Sequence, residues 1–157
     1  MGFVVYFALT WLFVSIFVAI EKKGSLVENT FVFLIILIVN INFTWVIAEE
    51  MNFIVLTKEG INYTGYILNR SMLIPILLVI QLNLIQGTKS MIQKISIILI
   101  SVCFLLVLSI LSIQLDMTEY TNWNHLNDAI YYFTLHLVAI FTYRLFKKIS
   151  PSEVNVL

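Results

Sequence analysis

The chain is poor in the residues that build reactive centres and tight turns. It has one cysteine, two prolines, two histidines and five glycines among 157 residues, and charged side chains make up only 11%. Each scarcity excludes something. Cys103 alone forms neither an internal disulfide nor a thiolate metal cluster. His125 and His136 match no short zinc spacing, so no metal ligand set is predicted. Nine basic and nine acidic residues cancel, and no basic surface is broad enough for nucleic acid. No P-loop or dinucleotide fingerprint calls for a cofactor. The glycines fall outside the main apolar runs, so no GxxxG dimer motif is present.

What remains is hydrophobic. Apolar residues make up 61% of the sequence, against about 45–50% in ordinary soluble domains. A soluble domain of this size keeps too much surface exposed to hide that fraction, whereas a bilayer accepts it. Five stretches approach the roughly 20 residues needed to cross hydrocarbon as a helix: 3–20, 30–48, 71–86, 95–114 and 129–146. Runs such as FVFLIILIV and FLLVL leave no polar stripe for a water-facing helix. They are too continuously apolar for the alternating strands of a transmembrane barrel. The fold expected is all-α: a polytopic transmembrane helical bundle of five spans in one integral membrane domain.

The third span is the shortest and contains Pro75, Gln81, Asn83 and Gln86. An earlier start, at Ile61, would draw Asn69 and Arg70 into the membrane, which is costly without a partner. The later start, at Ser71, is therefore preferred. At the beginning of the chain, MGFVVYFALTWLFVSIFVAIEKK places its charges after the apolar run, the reverse of a secretory signal, and predicts a retained span. Position 6 is Tyr, which weakens any myristoylation reading.

Charge gives orientation. Lys22, Lys23, Lys89, Lys94, Arg144, Lys147 and Lys148 fall on one side of a five-span bundle. Lys58 and Arg70 fall on the other with Glu49, Glu50, Glu59, Asp116, Glu119 and Asp128. The positive-inside rule then predicts an outside N-terminus and a cytoplasmic C-terminus. Tyr63 and Tyr66 suit an interfacial aromatic band, and MNFIVLT suits a short strand or an interfacial segment. The tail SPSEVNVL reads as a short end rather than a domain. The glycosylation patterns at Asn42 and Asn62 are three-residue matches, the first inside a span. The Ile, Asn and Lys usage suits an AT-rich bacterial genome, and hence a bacterial cytoplasmic membrane.

Polar residues at membrane depth are the candidates for a site. Asp128, Tyr132 and His136 share one face of span five, with His136 about 12 Å below Asp128. Asn40 and Thr44 share a face of span two, and span three offers Gln81 and Asn83. Asn40, Thr44, Gln81, Asn83, Tyr132 and His136 therefore form a candidate intramembrane polar site, either a pocket or interhelical hydrogen-bonding glue. Glu49, Arg70 and Asp128 form a candidate outer entrance or a solvated rim. Ser101, Ser109 and Ser112 lie broadly on one side of span four and favour close packing. Cys103 reads as packing. Asp128, His125 and Glu119 lack the spacing of a hydrolase, so an enzyme reading has little support.

The function expected is that of a structural, sensory or accessory membrane protein. Its partners would be membrane lipids and either a second copy or a larger membrane protein. The alternative is a small-solute or ion transporter using the polar residues between spans two, three and five.

Overall fold

The computed structural model describes residues 1–149; the tail discussed above lies outside them. Five helices are long and apolar enough to cross a membrane: α1 (Gly2–Ala19), α2 (Leu26–Glu50), α3 (Gly60–Gln86), α4 (Met91–Gln114) and α5 (His125–Ile149). Two short strands, β1 (Ile54–Leu56) and β2 (Thr118–Tyr120), pair antiparallel with Val55 opposite Glu119. The bundle is thus helical, as the apolar runs require, but it carries a two-stranded ribbon at one end. The strand within MNFIVLT was legible; its partner, far away in sequence, was not.

Local chemistry sets the helix ends. Ser25 and Glu28 form a reciprocal capping box at the start of α2: the Glu28 N–H donates to Ser25 Oγ at 3.2 Å, and the Ser25 N–H donates to Glu28 Oε2 at 2.8 Å. Two orphan donors of the first turn are satisfied before the chain enters its apolar run. The last turn of α2, Val46–Glu50, is a π-turn.

The helix carrying the third span starts at Gly60, well before the Ser71 start preferred from sequence. Asn69 and Arg70 are inside it, within a second π-turn, Asn69–Leu73. The reason lies in Pro75. The Ile74 N–H reaches back five residues to the Asn69 carbonyl. The next donor in that register would serve the Arg70 carbonyl, but residue 75 is proline and has no N–H. Asn40 of α2 fills the gap: its Nδ2 donates to the Arg70 carbonyl at 2.5 Å. A neighbouring helix thus supplies the backbone donor that the proline withholds, as membrane helices with proline require.

α3 is also the central helix. About two thirds of its most apolar window (67%) is buried in protein, against 17–33% for the other four helices. It packs on all of them, and its Leu73, Leu78, Val79 and Leu82 join Ile36, Leu105 and Leu135 in the core. Gly65 makes the α1–α3 crossing close: a Cβ there would sit 2.9 Å from Phe3 Cα. The expectation that glycines stay clear of the main helices fails here, because it followed from the late start of span three.

Contacts gather the loops into two ends of opposite charge. At one end, Asn83 Oδ1 accepts from the backbone N–H groups of Lys23 at 2.9 Å and Gly24 at 3.2 Å. Asn83 Nδ2 donates to Asn29 Oδ1 at 2.7 Å, and Phe146 packs on Phe31 with ring centroids 4.7 Å apart. This basic end holds the lysines of the α1–α2 and α3–α4 connections and the final turns of α5. The ribbon, the start of α1 and the acidic connections form the opposite, acidic end.

Candidate functional site

A chamber of about 60 Å³ lies at the acidic end, beneath the ribbon and between α2, α3, α4 and α5. It contains a carboxylate and a guanidinium. Asp128, 5% exposed, stands in the first turn of α5, where the helix dipole favours an anion. Three neutral donors hold it: Ser109 Oγ at 2.5 Å, Trp123 Nε1 at 2.7 Å, and the Tyr120 hydroxyl. Burial and the adjacent Asp128 raise the Tyr120 phenol above its ordinary pKa. The ribbon thus has a positional role, since β2 presents Tyr120 to the carboxylate.

Arg70 lines the same chamber. Its Nη1 donates to Thr44 Oγ1 at 3.4 Å, and its guanidinium carbon lies 5.4 Å from the Tyr66 ring centroid. Its Nε is buried without a partner among the described residues. The neighbouring Asn69, 5% exposed, has its Oδ1 in the same state. Among the described residues the one ion pair within 4.0 Å is Lys23–Glu21, which lowers the Glu21 pKa. Arg70 and Asp128 therefore share a cavity without pairing. On the opposite wall the Tyr131 hydroxyl donates to Asn40 Oδ1, completing a relay from Tyr131 through Asn40 to the Arg70 carbonyl.

The residues singled out by sequence divide. Asn40, Thr44, Tyr132, Arg70 and Asp128 line the chamber, so part of the intramembrane group and part of the outer group form one site. Glu49 is exposed on the π-turn of α2. His136, fully buried, faces α4: one ring nitrogen bonds Ser101 Oγ at 2.9 Å and the other the Tyr132 carbonyl at 2.6 Å. Asn83 belongs to the basic end. Gln81 is buried with neither amide atom partnered among the described residues. Among the described residues no side-chain hydrogen bond joins Asn40, Gln81, Asn83 and His136 to one another. The serines of span four are not packing residues alone: Ser101 meets His136, Ser109 meets Asp128, and Ser112 Oγ accepts from Thr118 Oγ1 at 3.2 Å.

Sequence reasoning missed Asn69, Tyr131, Ser109, Tyr120 and Trp123 as parts of the site. Trp123 and Tyr120 sit in a connection, where an aromatic residue reads as an interfacial anchor. Only the ribbon brings Tyr120 to Asp128. Ser109 Oγ and the Tyr120 hydroxyl donate to the Asp128 carboxylate, and Arg70 stands in the same chamber without pairing with it. No family model, curated protein or solved structure matches the chain.

Proposed function

We propose that this is a multi-pass protein of the bacterial cytoplasmic membrane, with its acidic end and N-terminus outside and its basic end cytoplasmic. Its role is sensory or accessory: the chamber binds a small charged group, and the broad apolar helix faces carry its occupancy to a second copy or a larger membrane partner. One observation carries this reading. Arg70 and Asp128 lie in one chamber without an ion pair, next to the buried, unpartnered Asn69 Oδ1. Ion pairing would be the simplest way to offset two desolvated charges, so their separation favours a third group between them.

Transport is the second reading, and it needs polar groups that succeed one another through the bundle. The chamber at the acidic end and the asparagine knot at the basic end are instead separated by the fully buried aliphatic side chains of Leu78, Leu105 and Leu135. His136 between them is tied to Ser101. That distribution favours binding over passage.

The test combines thermal melts with flux. In detergent, a panel of small charged solutes is screened for one that raises the melting temperature of the native chain but not of Arg70→Gln. The same solute should show no flux into proteoliposomes above protein-free vesicles. Flux would support transport instead, and a panel with no Arg70-dependent stabiliser would remove the binding reading. Reporter tags at the two termini should emerge on opposite faces of the membrane.

A further inference from the structure

The chamber shares a wall with a larger, apolar groove. The groove runs between α2 and α5, has a volume of about 440 Å³, and is floored by Val39, Ile130, Leu135 and Val138. Phe43, Trp123 and Tyr131 face both spaces. Phe43 and Tyr131 are stacked at 4.1 Å, whereas Trp123 stands off at 6.3 Å from both Phe43 and Phe53. The Trp123 indole is held by one side-chain hydrogen bond, to Asp128. Moving that indole aside would open the wall between the two spaces.

Two features say what crosses it. Arg70 Nε and the neighbouring Asn69 Oδ1 are buried and unpartnered among the described residues. A carboxylate fits them: one oxygen accepts from the Arg70 Nε–H, and the other from Asn69 once its amide turns by half a rotation. The acidic end itself, with Glu49, Glu50, Glu59, Asp116 and Glu119, repels an anion arriving from water. Access from the lipid side avoids that field. Asp128 opposes an anion less than a bare carboxylate would, because three donors hold its charge. Lipid tails are as apolar as the groove, so selectivity must come from the head.

We infer that chamber and groove form one binding site for a long-chain fatty carboxylate, with its head on Arg70 and Asn69 and its chain along Val39, Ile130 and Val138. This rests on the binding reading of the chamber given above.

The experiment uses the full chain in phosphatidylcholine nanodiscs, with W11F and W45F so that Trp123 alone emits. A fatty acid brominated at mid-chain is titrated. Saturable quenching of Trp123 is expected. Arg70→Gln should raise the half-saturation point about tenfold, the scale of one charged hydrogen bond. Arg70→Lys, which keeps the charge without the Nε–H, should fall between. Val138→Phe, which fills the lipid-facing groove away from Arg70 without adding a second emitter, should abolish the saturable quenching while leaving the fold intact by circular dichroism. Brominated phosphatidylcholine should quench weakly and independently of Arg70. Equal quenching by both lipids, unaffected at Arg70, would overturn the inference. If acetate alone shifts Trp123 emission in an Arg70-dependent way as strongly as the fatty acid, the chamber reading stands and the amphiphile is wrong. Arg70-independent emission with every ligand would overturn both.

Discussion

Asn40→Ala removes two hydrogen bonds at once: the donor to the Arg70 carbonyl and the acceptor for the Tyr131 hydroxyl. Hydrogen bonds between membrane helices contribute about 0.6 kcal/mol on average and up to about 1.7 kcal/mol. Asn40 is fully buried, and the carbonyl it serves has no intrahelical donor because of Pro75. Both bonds therefore belong at the upper part of that range, and a loss of about 2–3 kcal/mol is expected. Pro75→Ala restores an N–H at the position that should serve the Arg70 carbonyl, so the carbonyl half of the cost should vanish in that background. A double-mutant cycle, read by unfolding in mixed micelles with a denaturing detergent, should give a coupling of about 1 kcal/mol. An Asn40→Ala cost that is the same in both backgrounds would refute the assignment of Asn40 to the proline gap.

Gly65→Val places side-chain atoms against the Phe3 backbone and should lower the melting temperature through about 1–3 kcal/mol of overpacking; a neutral outcome would show that α1 can withdraw without cost. Ser101→Ala should destabilise by about 1 kcal/mol by removing a partner of buried His136, without altering ligand-induced stabilisation at the chamber. If it abolishes that response, His136 is part of the site after all. Tyr120 carries a pH signature. Its folded pKa is raised above the ordinary value of 10.0, so its contribution to stability is complete below about pH 10 and is lost as pH rises toward the raised value. Tyr120→Phe should flatten part of the alkaline fall in a melting-temperature profile, and an unchanged profile above pH 10 would count against the buried Tyr120–Asp128 bond.

Much of the architecture was legible because lipid imposes a simple demand. A helix must satisfy its own backbone and present apolar side chains outward, and the runs in α1, α2 and α4 do this without ambiguity. The same logic hid α3. A helix that meets other helices on most sides need not be uniformly apolar, so its Asn69, Arg70 and Gln81 made the most buried span look the weakest. The gathering of charge into two ends was readable because loops alternate sides. The pairing of β1 with β2 was not, since three residues on each side carry little pattern and their meeting depends on how helices bring two connections together. The chamber was half legible. Asp128 and Arg70 stood out as rare charges near helix ends, but their common cavity depends on the early start of α3 and on the ribbon that carries Tyr120.

Polar residues at membrane depth must therefore be sorted by what the backbone takes first. Asn40 and Asn83 are the same residue type in similarly apolar surroundings, and both were candidates for one site. Asn40 supplies a donor that Pro75 cannot; Asn83 supplies an acceptor for the Lys23 and Gly24 N–H groups, where the chain turns between α1 and α2. Each is occupied by the backbone, and each lies where regular helix fails or ends. Asn69 and Arg70 are different. They stand in the π-turn that Pro75 imposes, yet their side chains keep atoms that no backbone group uses. An irregularity needed for one reason thus brings two polar side chains to the chamber that holds Asp128, and packing alone explains neither this remainder nor the unpartnered amide of Gln81.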